Sequence, residues 1–164
     1  MFFLPHVSCR SVSDLAPDRL RKMEIDAVLV DVDSTLKRYR SEEVTPEAAA
    51  WLTSLQAAGI PVCLVSNGMG PRIRRLAQRL QLPFVGQALK PLPFGCQKAR
   101  RRLGTDPRRT AMVGDQLFAD VWAGRLAGLR TILVEPIHPE DEPWFTRFKR
   151  PVERWIVRRF LRDR

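Results

Sequence analysis

Short apolar runs recur along the chain, and most of them end in a polar group. Ile25 to Val30 leads into Asp31-Val32-Asp33-Ser34-Thr35, Ile60 to Val65 into Ser66-Asn67-Gly68, Pro83 to Leu89 into Lys90-Pro91, and Thr110 to Val113 into Gly114-Asp115. A fifth run spans Thr131 to Val134. Runs of this length without polar alternation predict strands buried on both faces. The stretches between them have helical spacing and helical punctuation. Thr45 reads as an N-cap with Pro46 in the first turn, Trp51, Leu52, Leu55 and Ala58 mark an apolar face, and Gly59 closes the helix. Pro71 opens a second helix through Ile73, Leu76 and Leu80, a third runs from about Leu92 to Leu103 and stops at Gly104, and a fourth runs from Gln116 to Ala127 and stops at Gly128. Strand and helix alternate, which predicts an α/β fold, a doubly wound Rossmann-like parallel sheet of five strands with helices on both faces.

In such sheets ligands sit at the carboxyl ends of the strands, near the point where strand order reverses. Asp31, Asp33, Ser66, Lys90 and Asp115 all reach that edge. Side chains two apart on an extended segment share a face, so Asp31 and Asp33 are placed for one carboxylate to attack phosphorus while the other handles the proton of the leaving oxygen. Taken singly, each residue has a plainer reading: Ser66 as a helix cap, Lys90 as a solvated charge, Asp115 as a turn residue. Convergence at one edge favours the chemical reading.

The order Asp-x-Asp-x-Thr, Ser, Lys-Pro and Gly-Asp-x-x-x-x-Asp resembles the four signature motifs of the haloacid dehalogenase (HAD) superfamily of phosphatases, over about Ile25 to Val134. DVDSTL, VSNG, KP and GDQLFADVWAGRLAG resemble more narrowly the subclass IIIA branch of YqeG and the phosphatidylglycerophosphate phosphatases. That branch usually has Thr where Ala119 stands and Gly-Asn-Arg where Gly124-Arg125-Leu126 stands. The resemblance implies Asp31 as the nucleophile that becomes an aspartyl-phosphate, Asp33 as acid and then base, and Lys90 as the cation that offsets phosphoryl charge. It also implies Ser66, Asn67, Gly68 and Thr35 at the substrate, and a Mg2+ ion held by Asp31, Asp33 (through its carbonyl), Asp115 and Asp120. Whether Asp120 meets the ion or braces Asp115 is left open.

No cap domain fits, because 32 residues separate Asp33 from Ser66 and 21 separate Gly68 from Lys90, in each case one helix and one strand. The expected site is open, which by resemblance to other capless members of the superfamily implies a bulky substrate or a roof from a second subunit in a homo-oligomer. Lys37-Arg38-Tyr39-Arg40 reads either as a basic flap or as a solvated loop. The divisions expected are an N-terminal arm over 1–24, with a short helix around Ala16 to Met23 capped by Asp14, the core over 25–135, and a basic, aromatic extension over 136–164. Cys9, Cys63 and Cys96 show no metal-ligand spacing and suggest a reducing compartment, with Cys63 in the core. His6 and His138 lie outside the motif edge.

Net charge is +10, with 23 of 28 basic residues arginine, and Trp144 to Arg164 alone carries eight basic against two acidic residues interleaved with aromatics. A helix opened by Pro151 would gather Val152, Trp155, Ile156 and Phe160 on one side, with Arg159 in their midst and Arg154, Arg158 and Arg162 elsewhere. It would lie in an anionic membrane interface or dock on the core or on a second subunit. No segment reaches the ~20 apolar residues of a membrane span, and Met1 to Leu4 breaks at Pro5, so a cytosolic protein is expected, peripheral at most on the inner face of a membrane. The function expected is hydrolysis of a phosphomonoester, phosphatidylglycerophosphate first and a soluble sugar phosphate or nucleotide next. An RNA-binding or scaffold protein on a phosphatase fold is the alternative of another class, prompted by Arg72, Arg74, Arg75, Arg79, Arg100, Arg101, Arg102, Arg108 and Arg109; it lacks a recognised nucleic-acid motif, so no specific nucleic acid is expected. A receiver domain does not match in order: by family resemblance its lysine comes last, whereas here Lys90 precedes Gly114-Asp115 and Asp120.

Overall fold

The computed structural model describes residues 3–161, all with their side chains except Leu161. Met1 and Phe2 of the arm, and Arg162 with the two residues after it in the basic tail, lie outside the described residues. Six parallel strands form one sheet in the order β1-β6-β5-β2-β3-β4: β1 (Val7–Cys9), β2 (Ala27–Val30), β3 (Val62–Val65), β4 (Phe84–Val85), β5 (Thr110–Gly114) and β6 (Arg130–Val134). The five expected strands are present, and a sixth comes from the segment read as an arm. Val7, Ser8 and Cys9 pair with Ile132, Leu133 and Val134. Three residues bounded by no turn signal have too little periodicity to read as a strand; the ladder of β6 recruits them.

The central strands β2, β3 and β5 are buried along their whole length, which explains their unbroken apolar runs. Val28, Val30, Val62, Leu64 and Ile73 pack on one side of the sheet with Trp51 and Leu55. Leu29, Cys63, Val65 and Met112 pack on the other with Cys96 and Ala99. The first of these layers includes α2 (Pro46–Ala57) and α3 (Gly70–Leu80), the second α4 (Phe94–Leu103) and α5 (Trp122–Leu126). Thr45 caps α2 by accepting the Ala48 N–H at 3.2 Å.

One helix in the core and one in the arm differ from those expected. Gln116 to Ala127 is not one uniform helix: Leu117–Val121 forms a π-helical turn before α5, and Val121 N–H bonds back to the Gln116 carbonyl five residues earlier. In the arm, α1 (Pro17–Lys22) starts from Ala16 with no side-chain cap. Asp14 instead accepts the Arg10 and Ser11 amides and closes a preceding 3-10 turn.

The largest correction lies at the C-terminus. Helix α6 spans Trp144–Leu161 with Pro151 inside it, rather than beginning there. Pro143 supplies the first carbonyl, bonded to the amides of Thr146 and Arg147. An interior proline costs about 3 kcal/mol by removing a helical hydrogen bond and crowding the preceding turn. Its neighbour Arg150 is anchored in a buried ion-pair cluster, which offsets that cost.

Gly124 of α5 sits where the helix meets β5 and β6: a Cβ there would come within 2.6 Å of Thr131 Cγ2 and 2.8 Å of Met112 Cβ. We expect Gly124→Ala to lower stability by about 1–3 kcal/mol through overpacking, read as a lower urea midpoint with an unchanged slope.

Candidate active site

The sheet reverses direction of growth at β2, with β3 on one side and β5 on the other. Asp31 continues β2 by donating its N–H to the Val113 carbonyl at 2.9 Å, and the chain then turns sharply, with Leu36 N–H returning to the Val32 carbonyl at 3.0 Å. The loops after β2, β3, β4 and β5 surround a cleft of about 350 Å³ lined by Asp31, Asp33, Tyr39, Ser66, Asn67, Gly68, Lys90 and Asp120, among others. Asp115 is buried immediately beside them, with one carboxylate oxygen within 4.8 Å of oxygens from Asp31 and Asp120.

Lys90 is the charge at the middle of this group. Its ammonium donates to Asp31 Oδ1 at 2.6 Å, Asp120 Oδ1 at 2.6 Å and the Val65 carbonyl at 2.9 Å. Burial alone would lower its pKa, but Asp120 and Asp31 more than offset that and hold it above the ordinary lysine value. The reading of Lys90 as a solvated charge is thereby excluded. Burial also pushes Asp31 well above the usual carboxylate range, against the pull of Lys90 and with the repulsion of Asp120 and Asp115. Asp115 is raised to about 6 by burial, although Arg150 acts to lower it.

Asp120 reaches the cluster because of the π-helical turn. Its Oδ2 accepts the Gln116 amide at 3.0 Å, and Gly114 makes room for it, since a Cβ on Gly114 would lie 2.3 Å from the Asp120 carboxylate. Asp120 thus has its own place among the three carboxylates. Asp33 stands apart, nearer solvent, paired with Lys37 at 2.6 Å and with Arg72, both contacts falling on Oδ1.

The residues expected around substrate take more specific positions. Ser66 Oγ accepts the Gly68 amide at 2.9 Å, which leaves its own hydrogen available to donate. Asn67 latches two loops together, donating to the Lys90 carbonyl at 3.0 Å and accepting the Lys90 amide at 2.8 Å. Thr35 donates its hydroxyl to Asp115 Oδ1 at 2.7 Å and is not among the residues lining the cleft. His6 lies just before β1, at the opposite end of the strands, and Cys63 and Cys96 are buried thiols pushed up to about 12 by that burial.

Three cations were missed. Lys37, read as flap or solvated loop, is 1% exposed and holds Asp33 and the carbonyls of Arg38 and Tyr39. Arg72 stands at the start of α3, just beyond the Ser66 loop, where an opposite charge to Asp33 was foreseeable. Arg150 carried no local signal. It pairs with Asp115 and Glu142, donates to the Asp115 carbonyl at 2.5 Å and lies 3.6 Å from Glu153. Glu153 in turn accepts the Phe118 amide at 3.0 Å. The acidic stretch 140–142 therefore binds α6 to the core through Glu142 and ties Asp141 to Arg38.

The haloacid dehalogenase-like hydrolase family matches residues 14–128. The chain belongs to that family. It is 32% identical to the probable phosphatase YqeG of Bacillus subtilis over 156 residues, covering 95% of this chain and 90% of the relative. It is 25% identical to the chloroplastic/mitochondrial phosphatidylglycerophosphate phosphatase 1 of Arabidopsis thaliana, over 98% of this chain but only 49% of the plant protein's length. The fold is that of the deoxy-D-mannose-octulosonate 8-phosphate phosphatase of Haemophilus influenzae, at a TM-score of 0.56 and 23% identity over 68% of this chain and 69% of that one. The chain is an enzyme, a HAD-type phosphatase.

Breaking a buried ion pair by removing one partner typically costs about 3–5 kcal/mol. Arg150→Met should therefore destabilise the protein by that order and free α6. Limited trypsin digestion is expected to cut within residues 144–161 in the variant under conditions that leave the native helix intact.

Proposed function

We propose that the protein hydrolyses a phosphomonoester through an aspartyl-phosphate on Asp31, with Mg2+ as cofactor, and that its substrate is phosphatidylglycerophosphate. The observation that carries the chemistry is the buried meeting of Asp31, Asp115 and Asp120 around Lys90. Lys90 and Arg150 supply two positive charges against three carboxylates, and Glu142 and Glu153 share one of those cations. Asp31 and Asp115, whose ionisation burial disfavours, are carboxylates that a hard divalent cation would hold ionised, and an all-oxygen donor set suits magnesium. Asp31, Asp115 and Asp120, with the Asp33 carbonyl, would hold the ion, which supplies charge that lets a phosphate dianion approach a carboxylate.

The chain's own groups do the rest. Asp31 attacks phosphorus, and the leaving oxygen departs with a proton from Asp33. Lys37 and Arg72 fix the Asp33 carboxyl in orientation. Lys90 and the free Ser66 hydrogen stabilise the phosphoryl oxygens, worth more in a buried site than in water. Asp33 then takes a proton from water, which cleaves the phosphoenzyme at phosphorus and regenerates Asp31.

The lipid substrate is favoured by the plant relative and by a cleft over which no separate cap domain stands among the described residues, α6 alone bordering it from outside the sheet loops. Lys149 lines the cleft and Arg72 pairs with the cleft residue Asp33, and these basic groups suit a substrate with two phosphates. A soluble ester is the second reading, favoured by 30% identity to the phosphoserine phosphatase of Thermus thermophilus over 137 residues, 77% of this chain and 51% of that one.

The test is phosphate release from phosphatidylglycerophosphate in mixed micelles beside soluble esters, with EDTA and Mg2+ as controls. The lipid should be preferred by several orders of magnitude in kcat/KM, and activity should vanish with chelation and return with Mg2+. Asp31→Asn should be inactive. Asp33→Asn should lose about 10²–10⁴-fold on the lipid, as expected for a general acid, while still giving a burst of nitrophenol from para-nitrophenyl phosphate. Preference for a soluble ester would overturn the lipid assignment and leave the mechanism standing.

A further inference from the structure

Helix α6 meets the core with its charged side. Arg150 and Glu153 are buried, and Val157 is half-buried, while Trp144, Phe148 and Trp155 face outward. Trp144, Phe148, Val152 and Trp155 are 79%, 79%, 49% and 63% exposed. Their spacing of four, four and three residues places them in one stripe along the helix. A helix docked for the sake of a hydrophobic core would turn this stripe inward. Ion pairs instead fasten it the other way, and a cleft of about 570 Å³ lies beneath its second half, beside Leu133, Val157 and Arg158.

A second set of exposed apolar residues lies at the mouth of the catalytic cleft. Met69, Leu89 and Leu92 are 69%, 62% and 48% exposed, and each is the chain neighbour of a cleft-lining residue: Gly68, Lys90 and Pro91. Phe145 joins the two sets. It lines the cleft, is 53% exposed and meets the Trp144 ring edge-on at 6.1 Å. Exposed apolar area continuous with a substrate site marks an interaction surface. Arg147, Arg154 and Arg158 flank the stripe on one side and Lys149 on the other, all exposed, with Arg159 within it.

We propose that the outer face of α6 and the rim residues Met69, Leu89, Leu92 and Phe145 form one docking surface for an anionic phospholipid bilayer, holding the cleft mouth against the headgroups. This rests on the lipid-substrate reading and adds how the enzyme reaches that substrate. Aromatic side chains enter the interface while the flanking arginines and lysine meet lipid phosphates. The basic charge selects this occupant over a second copy of the chain, because two such faces in contact would oppose arginine to arginine. The surface is wider than a helix from Pro151 could supply: it needs Trp144 and Phe148, and it includes loops after β3 and β4.

The protein of residues 1–164 and its triple variant Trp144→Ser/Phe148→Ser/Trp155→Ser are compared by flotation with vesicles of phosphatidylglycerol and phosphatidylcholine, and with phosphatidylcholine alone. None of the three residues lines the cleft, so para-nitrophenyl phosphate turnover should match in both proteins and report folding. The native protein should float with anionic vesicles and the variant should bind at least about tenfold more weakly, with tryptophan emission of the native protein shifting to the blue on binding. Equal binding by both proteins, or no native binding while the soluble ester is turned over, would overturn the proposal. A native dimer that the variant converts to monomer, with no vesicle binding, would assign the surface to a second copy instead. Vesicle binding as expected, without phosphatidylglycerophosphate hydrolysis, would uphold the docking surface and overturn only the substrate assignment.

Discussion

Three carboxylates within 4.8 Å of one another, removed from water, are the constraint on which the site depends. Two unit charges ~4 Å apart repel by ~4 kcal/mol even at an effective dielectric near 20, and three carboxylates make three such pairs. The protein answers with Lys90 between Asp31 and Asp120, and with Arg150 and the Thr35 hydroxyl on Asp115. Much of the local architecture serves these contacts. The latch between Asn67 and the Lys90 backbone fixes where the lysine enters, the π-helical turn returns Asp120 to the cluster, and Gly114 clears the space it fills.

The same electrostatics explains the shape of the C-terminal region. Arg150 is needed at Asp115, and its own burial draws in Glu142 and Glu153. These groups decide which side of α6 faces the core, so the aromatic side is left outward as a consequence. A helix near a bilayer would then be coupled to a carboxylate of the proposed metal site through a single guanidinium, and the catalytic cleft would share one orientation with the docking surface.

The strands and the catalytic edge were legible because both rest on short-range signals. Buried strands show as unbroken apolar runs, and the groups at their ends must lie at one edge of a parallel sheet whatever the details of packing. Asp31, Asp33, Ser66, Lys90 and Asp115 follow from that geometry, whereas Asp120, inside a helical segment, came only from the family resemblance. What was not legible depends on partners distant in sequence. Val7 to Cys9 is a strand only because β6 offers an edge. Glu142 and Arg150 look like solvated charges until they are seen beside Asp115, 27 and 35 residues away by their numbers. Pro151 marks a helix start by local rules, and only the buried ion pairs next to it explain why α6 runs through it. Lys37 had two readings on the surface and took neither, because Asp33 and two carbonyls needed a cation inside the loop.

The claim at the centre of this account is that Asp31 carries the phosphoryl group. The most direct measurement is borohydride reduction of enzyme quenched during turnover of a soluble ester with Mg2+, followed by peptide mass spectrometry. A phosphoaspartate is an acyl phosphate, so hydride reduces it to the alcohol with loss of phosphate, and the account predicts homoserine at position 31, enriched in Asp33→Asn. Steady phosphate release with Asp31 unmodified, or homoserine at another aspartate, would contradict it.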